Sequence, residues 1–88
     1  MSKVQVCSDL IAQDFGNEMV IINGMQDTVC ILNETGATIF KALRTPLTTT
    51  ELVERLVNMY QVPFETIEHD IGEYLQALIH QGVLQWID

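Results

Sequence analysis

Apolar and polar positions alternate along the first third of the chain, and a repeat of three and four takes over after it. Val4 and Val6, then Leu10 and Ile11, then the β-branched run Val20-Ile21-Ile22 carry the short-period apolar character of strands. Asn23-Gly24 predicts a turn with positive φ, and Thr28-Val29-Cys30-Ile31-Leu32 follows it. The pattern therefore predicts a hairpin of two strong strands with a weaker strand ahead of it, from about Asp9 to Phe15.

From Asn33 the period is helical. Asn33 is a good N-cap, and Gly36, Ile39, Phe40 and Leu43 fall at i, i+3, i+4 and i+7 on one stripe of a helix of about three turns. Gly36 sits on the buried stripe, which predicts that the helix start lies close against another backbone, offsetting a propensity cost of about 1 kcal/mol relative to alanine. Pro46 closes this helix, and Thr48 with Glu51 forms a capping box for the next. Leu52, Val53, Leu56, Val57, Met59 and Tyr60 give the second helix a broad apolar face that stops before Val62-Pro63. Pro63 suits the first turn of a third helix, Glu65 to Gln81, and Gly82 suits its C-terminal cap. Val62 stands where a polar N-cap is usual. On the third helix Ile67, Ile71, Tyr74, Leu75, Leu78 and Ile79 cover an arc of roughly 140°. That exceeds the ~100° needed to seat a helix on one core, so one edge of the arc is expected to face a groove. The tail, Val83 to Ile87, is compatible with a further strand or with packing back on the core.

Composition narrows the class. The 88 residues make a single domain, 1–88, and 48% apolar content supplies a core. Neither an internal repeat nor a low-complexity linker divides it. No apolar run approaches the ~20 residues of a membrane span. Cys7 and Cys30 lack zinc-site spacing and no secretory signal precedes them, so a reduced, cytoplasmic, soluble protein is expected, with no membrane partner.

Charge and side-chain chemistry exclude more. His69 and His80 lie about 16 Å apart along one helix, too far to share a metal ion, and both fall opposite the apolar arc. Glu65, Glu68, Asp70 and Glu73 near the start of the third helix complement its dipole and need no catalytic explanation. No phosphate-binding glycine loop, GxSxG or HExxH occurs, and Cys30 is expected to be a buried, inert thiol. The reading is a non-catalytic protein with no catalytic residues, no metal and no cofactor. Strands followed by three short helices define an α+β chain, winged helix-turn-helix-like, with a three-stranded antiparallel sheet followed by three helices. Many such domains read DNA with the third helix. Here that helix holds four acids and no Lys or Arg, and the chain carries a net charge of −8, so nucleic acid is not the expected partner.

The segments "LNETGATIF" (Leu32 to Phe40), "TTTELVERLVNMYQV" (Thr48 to Val62) and "HDIGEYLQALIHQGVL" (His69 to Leu84) together resemble the PqqD-like family, the RiPP recognition elements. The likeness covers about residues 18–84. "VPFE" and the tail "QWID" depart from the family pattern.

The resemblance implies a peptide-binding adaptor. Family members bind the leader of a ribosomally made precursor peptide by β-strand addition and deliver it to a modifying enzyme or leader peptidase. Carried over residue by residue, it assigns the pairing edge to Thr28, Val29, Cys30, Ile31 and Leu32. It assigns the groove wall to Ile67, Asp70, Ile71, Tyr74, Leu75 and Leu78. Tyr74, at the rim of the arc with a hydroxyl that prefers a polar neighbour, is the strongest groove residue. The lasso-peptide type of pathway is slightly preferred over a radical-SAM partner in pyrroloquinoline quinone biosynthesis. A winged-helix transcription regulator and a homodimer formed through the free sheet edge are the readings from other classes.

Overall fold

The computed structural model describes residues 2–87. In chain order the elements are β1 (Lys3–Val6), β2 (Leu10–Asp14), β3 (Met19–Asn23), β4 (Thr28–Leu32), α1 (Glu34–Ala42), α2 (Thr49–Tyr60), α3 (Phe64–His80) and β5 (Leu84–Ile87). An antiparallel sheet in the order β2-β3-β4 precedes the three helices, as the sequence pattern predicts. The register puts Leu10, Ala12, Met19, Ile21, Cys30 and Leu32 on the face toward the helices and Ile11, Val20, Ile22, Val29 and Ile31 on the other.

A second sheet was not legible in the pattern. β1 pairs antiparallel with β5, joining Val4 to Trp86 and Val6 to Leu84, so the tail adds a strand to the N-terminal segment. The same segment is clasped to the helices. Val4 N–H donates to Leu47 O at 2.7 Å, Leu47 N–H returns to Val4 O at 3.1 Å, and Val6 N–H donates to Leu43 O at 3.0 Å. Val4 is thereby buried with Met19, Ile21, Leu32, Ile39, Leu43, Leu56, Leu75 and Leu84 in one core.

Local signals set most helix ends. Asn33 Oδ1 accepts from Gly36 N–H at 2.9 Å, capping α1. At α2, Glu51 N–H donates to Thr48 Oγ1 and Thr48 N–H to Glu51 Oε1, completing the capping box. α3 closes in a Schellman arrangement, with Gly82 at φ +78, its N–H on Ile79 O and the Val83 N–H on Leu78 O.

Four expectations change. The β3–β4 turn places its positive φ at Asp27 (+54), not at Gly24, because Asn23 Oδ1 accepts from Met25 and Gln26 N–H and so shapes the turn from its first residue. α3 begins one residue earlier than read, and Pro63 is its N-cap, with extended ψ and no side-chain cap. Met59 and Tyr60 do not join the buried face of α2. Met59 is 56% exposed, and the Tyr60 hydroxyl reaches Thr38 Oγ1 at 3.2 Å. Finally, Gly36 closes on a side chain and not on a backbone: a Cβ there would overlap the Tyr74 hydroxyl and lie 3.1 Å from Leu32 Cβ.

Candidate functional site

β4 is an edge strand. No strand pairs with its outer side among the described residues, and the N-terminal segment that could have covered it is held by β5 instead. On the outer sheet face Val29 and Ile31 are 66% and 65% exposed, while Cys30 is half-buried and Leu32 fully buried toward the helices.

α3 runs beside this edge in the opposite direction to β4. Its C-terminal end is tied to the β3–β4 turn by Asn23, whose Nδ2 donates to Gly82 O at 3.2 Å. Its middle is tied to the exit of β4 by Tyr74, whose hydroxyl donates to Asn33 Oδ1 at 3.4 Å. Between strand and helix lies an open groove of about 380 Å³ lined by Cys30, Ile31 and Leu32 on one side and by Asp70, Glu73, Tyr74, Ala77, Leu78 and Gln81 on the other. A second cavity of about 280 Å³, chiefly apolar, continues from it past Tyr74 and Asp70 toward Leu56, Tyr60, Ile67 and Ile71.

These contacts sort the residues named from sequence. Cys30, Ile31, Leu32, Asp70, Tyr74 and Leu78 meet along the groove. Ile67 and Ile71 line the second cavity with Asp70 and Tyr74. Thr28 and Val29 are exposed at the start of the edge. Leu75 lies in the core and lines neither space. Glu73, Ala77 and Gln81 are groove residues that the apolar arc could not reveal, since none is a large apolar side chain. Their signal is helical spacing: with Asp70 and Tyr74 they stand at i, i+3, i+4, i+7 and i+11 down one flank of α3.

Electrostatics separate the two walls. Burial raises the Tyr74 phenol above its ordinary pKa, with the Cys30 thiol adding to the shift, so both stay neutral at pH 7. The Cys30 thiol is likewise pushed up by burial, and it faces the groove half-buried where a fully buried position was expected. Asp70 and Glu73 are exposed at the helix side. His69 and His80 are exposed as well, His69 lying 3.9 Å from Glu73. Among the described residues no group of three His, Cys, Asp or Glu is placed to hold a metal. No helix among them is long and apolar enough to cross a membrane.

An edge strand of this kind offers unpaired backbone N–H and C=O groups to an extended segment, whose alternate side chains would point into the space before α3.

The family model for coenzyme PQQ synthesis protein D (PqqD) matches residues 18–84. The chain belongs to the PqqD family. Two solved structures share its fold. One is "TbiB1 in Complex with the TbiA(beta) Leader Peptide", with a TM-score of 0.83 and 22% identity over 92% of this chain and 94% of that one. The other is "Lasso peptide synthetase B1 complexed with the leader peptide", with a TM-score of 0.78 and 21% identity over 93% and 96%. No curated protein sequence matches the chain. The segments of this PqqD-family member that carried the resemblance, Leu32 to Phe40, Thr48 to Val62 and His69 to Leu84, lie within the matched span.

Proposed function

We propose that this chain is a peptide-binding adaptor that takes the leader of a ribosomally synthesised precursor as an added strand on β4 and delivers it to a modifying enzyme or leader peptidase. The observation that carries this is the open β4 edge lying directly beside the groove against α3. Backbone pairing supplies affinity there and the groove wall selects side chains. Thr28, Val29, Cys30, Ile31 and Leu32 form the pairing edge. Asp70, Tyr74 and Leu78 form the groove wall, Ile67 and Ile71 extend it, and Leu75 supports it from the core. The adaptor contributes no chemistry of its own and uses no cofactor.

The two fold neighbours hold leader peptides, one of them as a lasso peptide synthetase component, which supports a lasso-type pathway. The name of the matching family model supports a second setting, partnership with a radical-SAM enzyme in pyrroloquinoline quinone biosynthesis.

The test is a fluorescence-polarisation titration of the folded domain against labelled leader peptides encoded beside its gene. Binding in the micromolar range or tighter to one leader, lost when that leader is scrambled, is the expected result. A folded sample that binds none of them and instead gains mass with concentration would replace the adaptor by a module that dimerises through its sheet edge.

A further inference from the structure

We infer that the groove selects leaders carrying a lysine or arginine at the start of the added strand, followed two residues later by an aliphatic side chain. This rests on the leader-binding reading and concerns which leaders the site accepts.

The direction comes from the sheet. Both pairings of β3, with β2 and with β4, are antiparallel, and an added strand that continues the pattern runs from the Leu32 end of β4 toward Thr28. The Leu32 end lies by Tyr74, since the Tyr74 hydroxyl bonds Asn33. Asp70 stands one turn further toward the N-terminus of α3, about 6 Å along the axis. The Thr28 end lies near the C-terminal end of α3, which Asn23 holds through Gly82. From Asp70 to Gln81 the helix covers about 16 Å, close to the length of a five-residue strand.

The groove is therefore graded along the path of the added strand. Its first part meets Asp70 and Glu73, and its later part meets Ala77, Leu78 and Cys30, none of them charged at pH 7. No Lys or Arg lines it. All four cations stand elsewhere: Lys3 on β1, Lys41 paired with Asp14 at 2.7 Å, Arg44 over the Phe40 ring and Arg55 on α2. Within the described residues the Asp70 carboxylate makes no ion pair and accepts no side-chain hydrogen bond. Glu73 has only His69 at 3.9 Å, an ion pair only when the imidazole is protonated. Side chains of an added strand face the groove at every second residue. The first inward position thus meets carboxylates without strong partners, and the next meets aliphatic carbon.

Binding to a positional-scanning array of acetylated decapeptides, with Lys, Glu or Leu fixed at each position in turn, tests this. The folded wild-type chain is expected to prefer Lys over Glu by about fivefold at one position, the magnitude of an exposed ion pair. It is expected to prefer Leu two residues later. Added salt should shrink the first preference and spare the second. The Asp70→Lys/Glu73→Lys double variant, altered only at exposed positions, should invert the first preference to Glu. Retention governed by apolar residues alone, or a Lys preference unchanged in the double variant, would overturn the inference and leave leader binding standing. Failure to retain any peptide would remove both.

Discussion

Tyr74 and Gly36 compete for one volume. The Tyr74 phenol reaches across from α3 to the first turn of α1, and it occupies the space that a side chain at position 36 would need, its Cζ 2.9 Å from where a Cβ would stand. The arrangement couples the helix entry after β4 to the groove wall, because the same hydroxyl donates to the Asn33 oxygen that caps α1.

The coupling predicts a non-additive double-mutant cycle. Gly36→Ala alone should destabilise by about 1 kcal/mol or more, since overpacking outweighs the gain in helix propensity, and should push the Tyr74 ring into the groove. In a Tyr74→Ala background the same change should cost less, by about 1 kcal/mol or more, because only the 3.1 Å approach to Leu32 Cβ then opposes the gain in helix propensity. Urea unfolding of the four proteins measures both, and equal effects in the two backgrounds would show that the residues do not share space.

Tyr74 itself should matter to peptide binding through its ring. Tyr74→Ala is expected to weaken leader binding about tenfold or more, in the range of an interface aromatic anchor. Tyr74→Phe keeps the wall, loses only the hydrogen bond to Asn33 and should stay within about threefold of wild type. Unchanged affinity in a folded Tyr74→Ala protein would move the wall elsewhere.

Backbone direction alternates along β4, so proline substitutions at Val29, Cys30 and Ile31 should fall into two classes. Where the lost N–H pairs with β3, the hairpin loosens and circular dichroism reports it. Where it faces the open edge, the domain stays folded and leader binding drops about tenfold or more, and Ile31→Pro is expected in this class. Full binding by every proline variant that folds would exclude strand addition at this edge.

The Asp14 carboxyl is held below the usual carboxylate range by the Lys41 ammonium, with help from the Gly16 N–H at 2.8 Å. A lowered folded pKa contributes stability above the unfolded value, and that contribution disappears as pH falls through the folded pKa. Glu51 behaves the same way through its bond from the Thr48 N–H. Carbon-detected NMR titration should find both among the most acidic side chains, and Lys41→Met should raise Asp14 while leaving Glu51 in place.

β1 is expected to be a structural strand and not an appendage. Val4→Ala removes buried aliphatic volume beneath the clasp to Leu47 and should cost about 2 kcal/mol, whereas Lys3→Ala at the exposed position next to it should stay within about 0.5 kcal/mol. Chemical denaturation distinguishes the two.

Signals confined to a few neighbouring residues were readable without the fold. The Thr48/Glu51 box, the Asn33 cap, the Gly82 terminus and the alternation in β3 and β4 depend on spacing within one element, so three strands and three helices followed from them. The edge strand and the groove residues Asp70 and Tyr74 came with the family resemblance and lie together in the fold. What needed the tertiary structure were relations between distant segments. The pairing of β1 with β5 joins the two ends of the chain, and neither short strand carries a periodic signal strong enough to name its partner. Gly36 was legible as a close approach, but only the reach of the Tyr74 side chain from α3 to the start of α1 makes the neighbour a tyrosine. Glu73, Ala77 and Gln81 became groove residues only when β4 was laid beside α3, because a helix flank that faces an open space carries no apolar stripe to mark it.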